Sequence, residues 1–171
     1  SDAQLYCWGS NRYGQLGLGP SAAENVREPQ PVPGMSEVTA VATSGSATCA
    51  VHAGDLYCWG WVGRFDTTSR DEVDTPEKVA GVDGVTAIAV GDSMACAVAN
   101  AEAWCWGHNG DGQLGNGTTA TGERPARVPG LGEVTAIEAN NDAVCALSDA
   151  QPYCWGAIHW WQLTAPEPQL T

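Results

Sequence analysis

Leu56-Tyr57-Cys58-Trp59-Gly60 is the stretch on which the fold turns, because the chain keeps returning to it. Tyr6-Cys7-Trp8-Gly9, Trp104-Cys105-Trp106-Gly107 and Tyr153-Cys154-Trp155-Gly156 repeat the same element, roughly 50 residues apart, and a fixed period of that length marks a repeat architecture. Fold class is therefore read from the repeat rather than from any local motif.

Around the quoted stretch a full unit can be laid out. Val38-Thr39-Ala40-Val41-Ala42 comes first, then Ala47-Thr48-Cys49-Ala50-Val51, then Leu56 to Trp59, then Pro76-Glu77-Lys78-Val79. The four runs are β-branched, aromatic or alternately apolar, and Gly, Asp, Asn and Pro bound them, which is strand punctuation. No window carries a 3.6-residue apolar period of helix length. Four antiparallel strands per unit compose a β-propeller blade, and Pro in the fourth run suits an edge strand, where no ladder bond is lost. The expected layout is all-β: residues 1–37 as the back end of a first repeat, then repeats at 38–84, 85–133 and 134–171, three full units and a half in one continuous domain.

Cysteine spacing sharpens this reading. Cys49 and Cys58, Cys96 and Cys105, and Cys145 and Cys154 each lie nine apart. A two-residue turn at Ala53-Gly54 pairs His52 with Asp55 and places Cys49 opposite Cys58, at a non-hydrogen-bonded position where Cα atoms come closest. Three disulfides are expected, each restricting the unfolded chain by roughly 3 kcal/mol in the loop-entropy model, and they imply an oxidising compartment. The alternative is three pairs of buried thiols, since reduced Cys also packs well in a core. Zinc fits poorly, because the repeats lack C-x-x-C spacing and their His positions do not recur with the cysteines.

Cys7 is expected to be unpaired: the place for its partner falls before Ser1, and Ser1-Asp2-Ala3-Gln4 matches the hairpin turn Ser148-Asp149-Ala150-Gln151. The expectation is an incomplete propeller, cut from a longer precursor or completed by a neighbouring chain.

Charge narrows the partners. A net charge of −13, with Lys78 the sole lysine among seven basic residues, provides no cationic cluster to displace phosphate counterions. DNA, RNA and anionic membrane surfaces are thereby disfavoured, and no apolar run approaches the length of a membrane-spanning helix. The acidity fits a solubilising surface, or one that steers a basic partner.

These residues resemble the regulator of chromosome condensation repeat family along the whole chain. The carriers are the Val-x-x-Val/Ile first strand, Cys-Ala-Val/Leu in the second, Tyr/Trp-Cys-Trp-Gly in the third, and Asn-x-x-Gly-Gln-Leu-Gly-x-Gly after it, which stands at 11–19 and 109–117. The paired cysteines look like the variant of secreted or surface-exposed bacterial members. The resemblance implies a propeller, usually seven-bladed, that serves as a binding platform rather than an enzyme. Two units depart from it. Trp61-Val62-Gly63-Arg64-Phe65-Asp66-Thr67 and Ala157-Ile158-His159-Trp160-Trp161-Gln162-Leu163 replace the glycine signature after the second and fourth aromatic-Cys-Trp-Gly elements.

The chemistry-bearing residues sort accordingly. The glycines at 14, 17 and 19 and at 112, 115 and 117 open no helix after a strand, so they set turn geometry at positive φ rather than cradle a phosphate. No G-x-S-x-G or His-Glu-x-x-His occurs, His52, His108 and His159 stand in turns and loops, and Asp92, Asp111, Asp142 and Asp149 lack calcium-loop spacing. Neither catalysis, a metal nor a cofactor is expected. Trp8, Trp59, Trp106 and Trp155 recur with the repeat and are expected to pack between blades. Trp61, Trp160 and Trp161 do not recur. With Arg64, Phe65 and His159 they form the expected partner-binding set, on loops at one end of the propeller, unless they merely fill the space of the missing glycine turns. The sequence thus points to a secreted or surface-exposed, non-enzymatic module that binds a protein, in its more concrete form as an inhibitor does. The alternative is a structural subunit that joins further copies into a ring, fibre or surface layer.

Overall fold

The computed structural model describes residues 3–61 and 73–157. Among these, thirteen strands form four antiparallel sheets and no helix occurs. The first sheet pairs β1 (Tyr6–Ser10) with β2 (Asn25–Pro31). The second has β3 (Val38–Thr43), β4 (Ala47–His52), β5 (Asp55–Gly60) and β6 (Val73–Asp83) in sequence order. The third repeats this with β7 (Val85–Val90), β8 (Met94–Ala99), β9 (Glu102–Gly107) and β10 (Gly122–Arg127). β11 (Val134–Ala139), β12 (Ala143–Ser148) and β13 (Gln151–Gly156) make the last. These are propeller blades, and β6, at 11 residues, runs well beyond the four residues that its sequence pattern marks.

The hairpins have the expected register. His52 faces Asp55 and Cys49 faces Cys58, and the pairs Cys96–Cys105 and Cys145–Cys154 occupy the same place. All three are disulfide-bonded, each with Cα atoms 4.1 Å apart. The turns at Ala53-Gly54, Asn100-Ala101 and Asp149-Ala150 hold both central residues at positive φ, which matches the twist of the flanking strands.

Because successive side chains on a strand point to opposite faces, each blade has two distinct sides. One side carries the cysteines. Cys96, Cys105, Met94 and Val98 pack against Val134, Ile137, Val144, Ala146 and Trp155 of the following blade. Cys49, Cys58, Val51 and Leu56 likewise meet Val85, Ala95, Ala97 and Trp106, and Leu5, Cys7, Val32 and Met35 meet Ala50 and Trp59. The cysteine side of one unit thus always receives the tryptophan side of the next. Each fully buried Val, Leu or Met contributes about 1.5–3 kcal/mol, so the joints between blades form the core.

Polar bonds fasten the same joints. The turn before β8 holds Asp92, whose Oδ1 accepts from Gly45 N at 3.3 Å and whose Oδ2 accepts from Asn141 Nδ2 at 2.7 Å. Ser46 Oγ donates to the Asp92 carbonyl and Asp92 N to Asn141 Oδ1, at 3.0 and 3.1 Å. One aspartate therefore links three consecutive blades. On their outer flanks, Lys78–Asp55 and Arg127–Glu102 form equivalent ion pairs of 2.7 and 2.8 Å. The hydrogen bond to Asp55 holds the Lys78 ammonium above its usual range.

Candidate functional site

The turn at 11–19 is built to seat a tryptophan. Asn11 Oδ1 accepts from Leu16 N at 3.0 Å and Gln15 Oε1 from Tyr13 N at 2.9 Å, so two amide side chains hold the loop closed. The Gln15 carbonyl then faces the next blade, where it accepts from Trp59 Nε1 at 2.9 Å and Thr48 Oγ1 at 2.8 Å. A Cβ at Gly17 would lie 2.6 Å from Trp59 Nε1. The glycine is there because the indole is. Residues 109–117 repeat the device: Leu114 N donates to Asn109 Oδ1 and Trp155 Nε1 to the Gln113 carbonyl, both at 2.9 Å.

Three of the recurring tryptophans behave as expected: Trp59, Trp106 and Trp155 are 0%, 2% and 2% exposed. Trp8 does not. It is 59% exposed, and Tyr6 beside it is also open, with no blade or turn packed on the tryptophan side of β1 among the described residues. Repeat position alone does not bury an indole; the neighbouring blade does, and Trp106 is covered by Cys49, Val51, Leu56 and Cys58 in a unit that lacks the glycine signature. Cys7, on the opposite side of β1, is unpaired among the described residues, and burial pushes its thiol above the ordinary range.

Trp61 follows directly on β5, and its amide donates to the Ser46 carbonyl at 2.7 Å. That bond places it at the end of the blade where Asp92 and the glycine turns lie; His108 N to Ser93 O and Ala157 N to Asp142 O are the counterparts in the next two units, both 2.8 Å. Trp61 is 55% exposed, and its ring stands 5.3 Å from that of Tyr13, tilted by 36°. Arg12 completes the row, its guanidinium carbon 5.9 Å from the Tyr13 ring centre.

Arg64, Phe65, His159, Trp160 and Trp161 lie outside the described residues. Tyr13 and Arg12 were not picked out from sequence. A signal for them existed: aligning the two glycine signatures puts Gly110-Asp111 where Arg12-Tyr13 stand, so both residues exceed what the turn requires. No group of three or more potential metal ligands occurs among the described residues, and no helix there is long and apolar enough to cross a membrane.

The sequence model of the regulator of chromosome condensation (RCC1) repeat matches residues 2–51 and 100–147, together more than half of the chain. The chain belongs to the RCC1 repeat family. Regulator of chromosome condensation from Xenopus laevis is 33% identical over 75 residues, which is 43% of this chain and 18% of that protein. Human WBSCR16 superposes with a TM-score of 0.76 at 21% identity, over 90% of this chain and 42% of that structure. Yeast RCC1 (Prp20), solved with Kap60 bound, gives 0.75 at 18% identity, over 90% and 40%. The chain thus spans less than half the length of each of these proteins, and the structural likeness establishes a shared propeller fold.

Proposed function

We propose that this chain is a non-enzymatic protein-binding module of an extracellular or cell-surface compartment, which offers the end carrying Trp61 to a protein partner in the manner of an inhibitor or receptor. The observation that carries this is the exposure of Trp61 against Tyr13, at a position where the other units have Ser10, His108 and Ala157. A rigid blade supports the ring pair, and Trp, Tyr and Arg are the residues that dominate binding hot spots. Three cross-strand disulfides agree with maturation in an oxidising compartment, and a charge of −13 argues against nucleic acid as the ligand. Binding rather than catalysis also agrees with a related propeller having been solved with the protein Kap60 bound.

The test is capture of a partner on the immobilised chain, followed by affinity measurement on variants. Trp61→Ala should weaken the complex by about 2 kcal/mol or more while the melting temperature stays put. A large stability loss at unchanged affinity would make Trp61 a packing residue and sink the reading.

Assembly with further copies is the second reading, and the exposure of Tyr6 and Trp8 on β1 favours it. Native mass measurement decides it: a monomer at micromolar concentration rules it out.

A further inference from the structure

We propose that the Arg12–Tyr13–Trp61 row recognises a carboxylate-bearing peptide segment, one in which an Asp, a Glu or a terminal carboxylate adjoins an aromatic or proline residue. The inference rests on the protein-binding reading above and names the chemistry of the partner at that site.

Repetition within the chain supplies the control. Where Arg12 and Tyr13 stand on one turn and Trp61 on the blade beyond it, the equivalent joint has Gly110 and Asp111 on the turn and Ala157 beyond it. The turn folds without them, so the backbone needs none of the three. They come from two different positions of the repeat and meet only at the joint between the first and second units.

Charge selects the ligand. In a chain of net charge −13, two of the described cations pair with carboxylates, Lys78 with Asp55 and Arg127 with Glu102, while Arg12, Arg27 and Arg124 form no such pair among the described residues. Exposed Arg12 has no carboxylate partner among the described residues and lies instead against the Tyr13 ring. Stacking on an aromatic face leaves the in-plane N–H fork of a guanidinium free, and that fork matches a carboxylate in bidentate fashion. Beside it, the tilted Tyr13 and Trp61 rings give an apolar side chain a surface to pack on. A cationic segment would meet Arg12 as a like charge, so the acidic one is favoured at this spot even though the whole molecule is acidic.

A random peptide library displayed on phage is selected against the folded, oxidised chain. Binders that Trp61→Ala abolishes are then synthesised, each alongside a version with its acid replaced by the matching amide. The expected consensus holds an acid next to an aromatic or proline residue. Removing that acid should cost about tenfold on the parent chain and nothing further on Arg12→Gln, the signature of direct contact in a double-mutant cycle. His108→Ala, at the equivalent place in the repeat, should leave affinity unchanged, and thermal melts should show every variant folded. Binders that need Trp61 but show no coupling to Arg12, or that carry a basic consensus, overturn this inference and leave the binding face standing. Failure to recover any Trp61-dependent binder overturns both.

Discussion

In the turn at 11–19, Asn11 accepts from the Leu16 amide at 3.0 Å and the Gln15 carbonyl accepts the Trp59 indole at 2.9 Å; in the turn at 109–117, Asn109 and Gln113 do the same at 2.9 Å each. Glycine spacing, both amide side chains and the seat for the following tryptophan are shared. What differs is Arg12-Tyr13 against Gly110-Asp111 on the exposed rim, and Leu18 against Asn116. The repeat therefore separates two kinds of residue that single-site inspection confuses. Recurring residues make the joint between blades, and substitutions there should act on stability. Non-recurring residues use the joint as a platform, and substitutions there should act on binding.

The largest effect that this contrast predicts concerns the seated indole. Trp59→Ala and Trp155→Ala each leave a cavity and break an indole hydrogen bond, with Thr48 still donating to the Gln15 carbonyl, and should cost about 4 kcal/mol in urea unfolding. Trp8→Ala removes the same residue from the same repeat position without a seat, and should cost less than about 0.5 kcal/mol. An equal loss at Trp8 would mean that its side of β1 is covered in solution, and would point to assembly.

The glycine beneath the indole comes next. A Cβ would stand 2.6 Å from Trp59 Nε1 at Gly17 and 2.7 Å from Trp155 Nε1 at Gly115, and both residues have positive φ. Gly17→Ala and Gly115→Ala should each destabilise by about 3 kcal/mol, from overpacking added to backbone strain. Calorimetric melts of the two variants should agree. A mild effect at one of them would mean that its tryptophan can retreat, and would end the claim of a shared skeleton.

Sequence reached the blades, the hairpin register and the disulfides because their causes are local. A nine-residue cysteine spacing and a two-residue turn fix the pairing of β4 with β5 without reference to anything else. Positive φ at Gly17 was legible too; the reason that no side chain fits there was not, because the obstructing indole is 42 residues further along the chain. Exposure of Trp8 was missed for the same cause, since burial depends on the neighbouring unit. Of the candidate site, Trp61 was legible as a residue outside the pattern. Its contact with Tyr13 was not, because periodicity says which residues are equivalent and not which non-equivalent ones meet across a joint.

The smallest predicted effect tests whether the two seats are equally well satisfied. Gln15 Nε2 donates to the Gly45 carbonyl of the next blade at 3.0 Å. Gln113 Nε2 is buried with no hydrogen-bond partner among the described residues, although Gln113 Oε1 accepts from Asp111 N at 2.9 Å just as Gln15 Oε1 accepts from Tyr13 N. Methionine matches glutamine in length and removes the amide while leaving the backbone carbonyl, and so the indole bond, in place. Gln15→Met gives up two hydrogen bonds and strands the Gly45 carbonyl. Gln113→Met gives up one and relieves a buried donor that had nothing to bond. An unmade buried donor costs about 1–3 kcal/mol and a made bond contributes about 1, so Gln15→Met should be the more damaging by about 1 kcal/mol in paired urea titrations. Equal losses would mean that an ordered water meets Gln113 Nε2. The two glutamine side chains would then be equally satisfied, and the seats would differ only in the hydrogen bond that Thr48 adds to the Gln15 carbonyl.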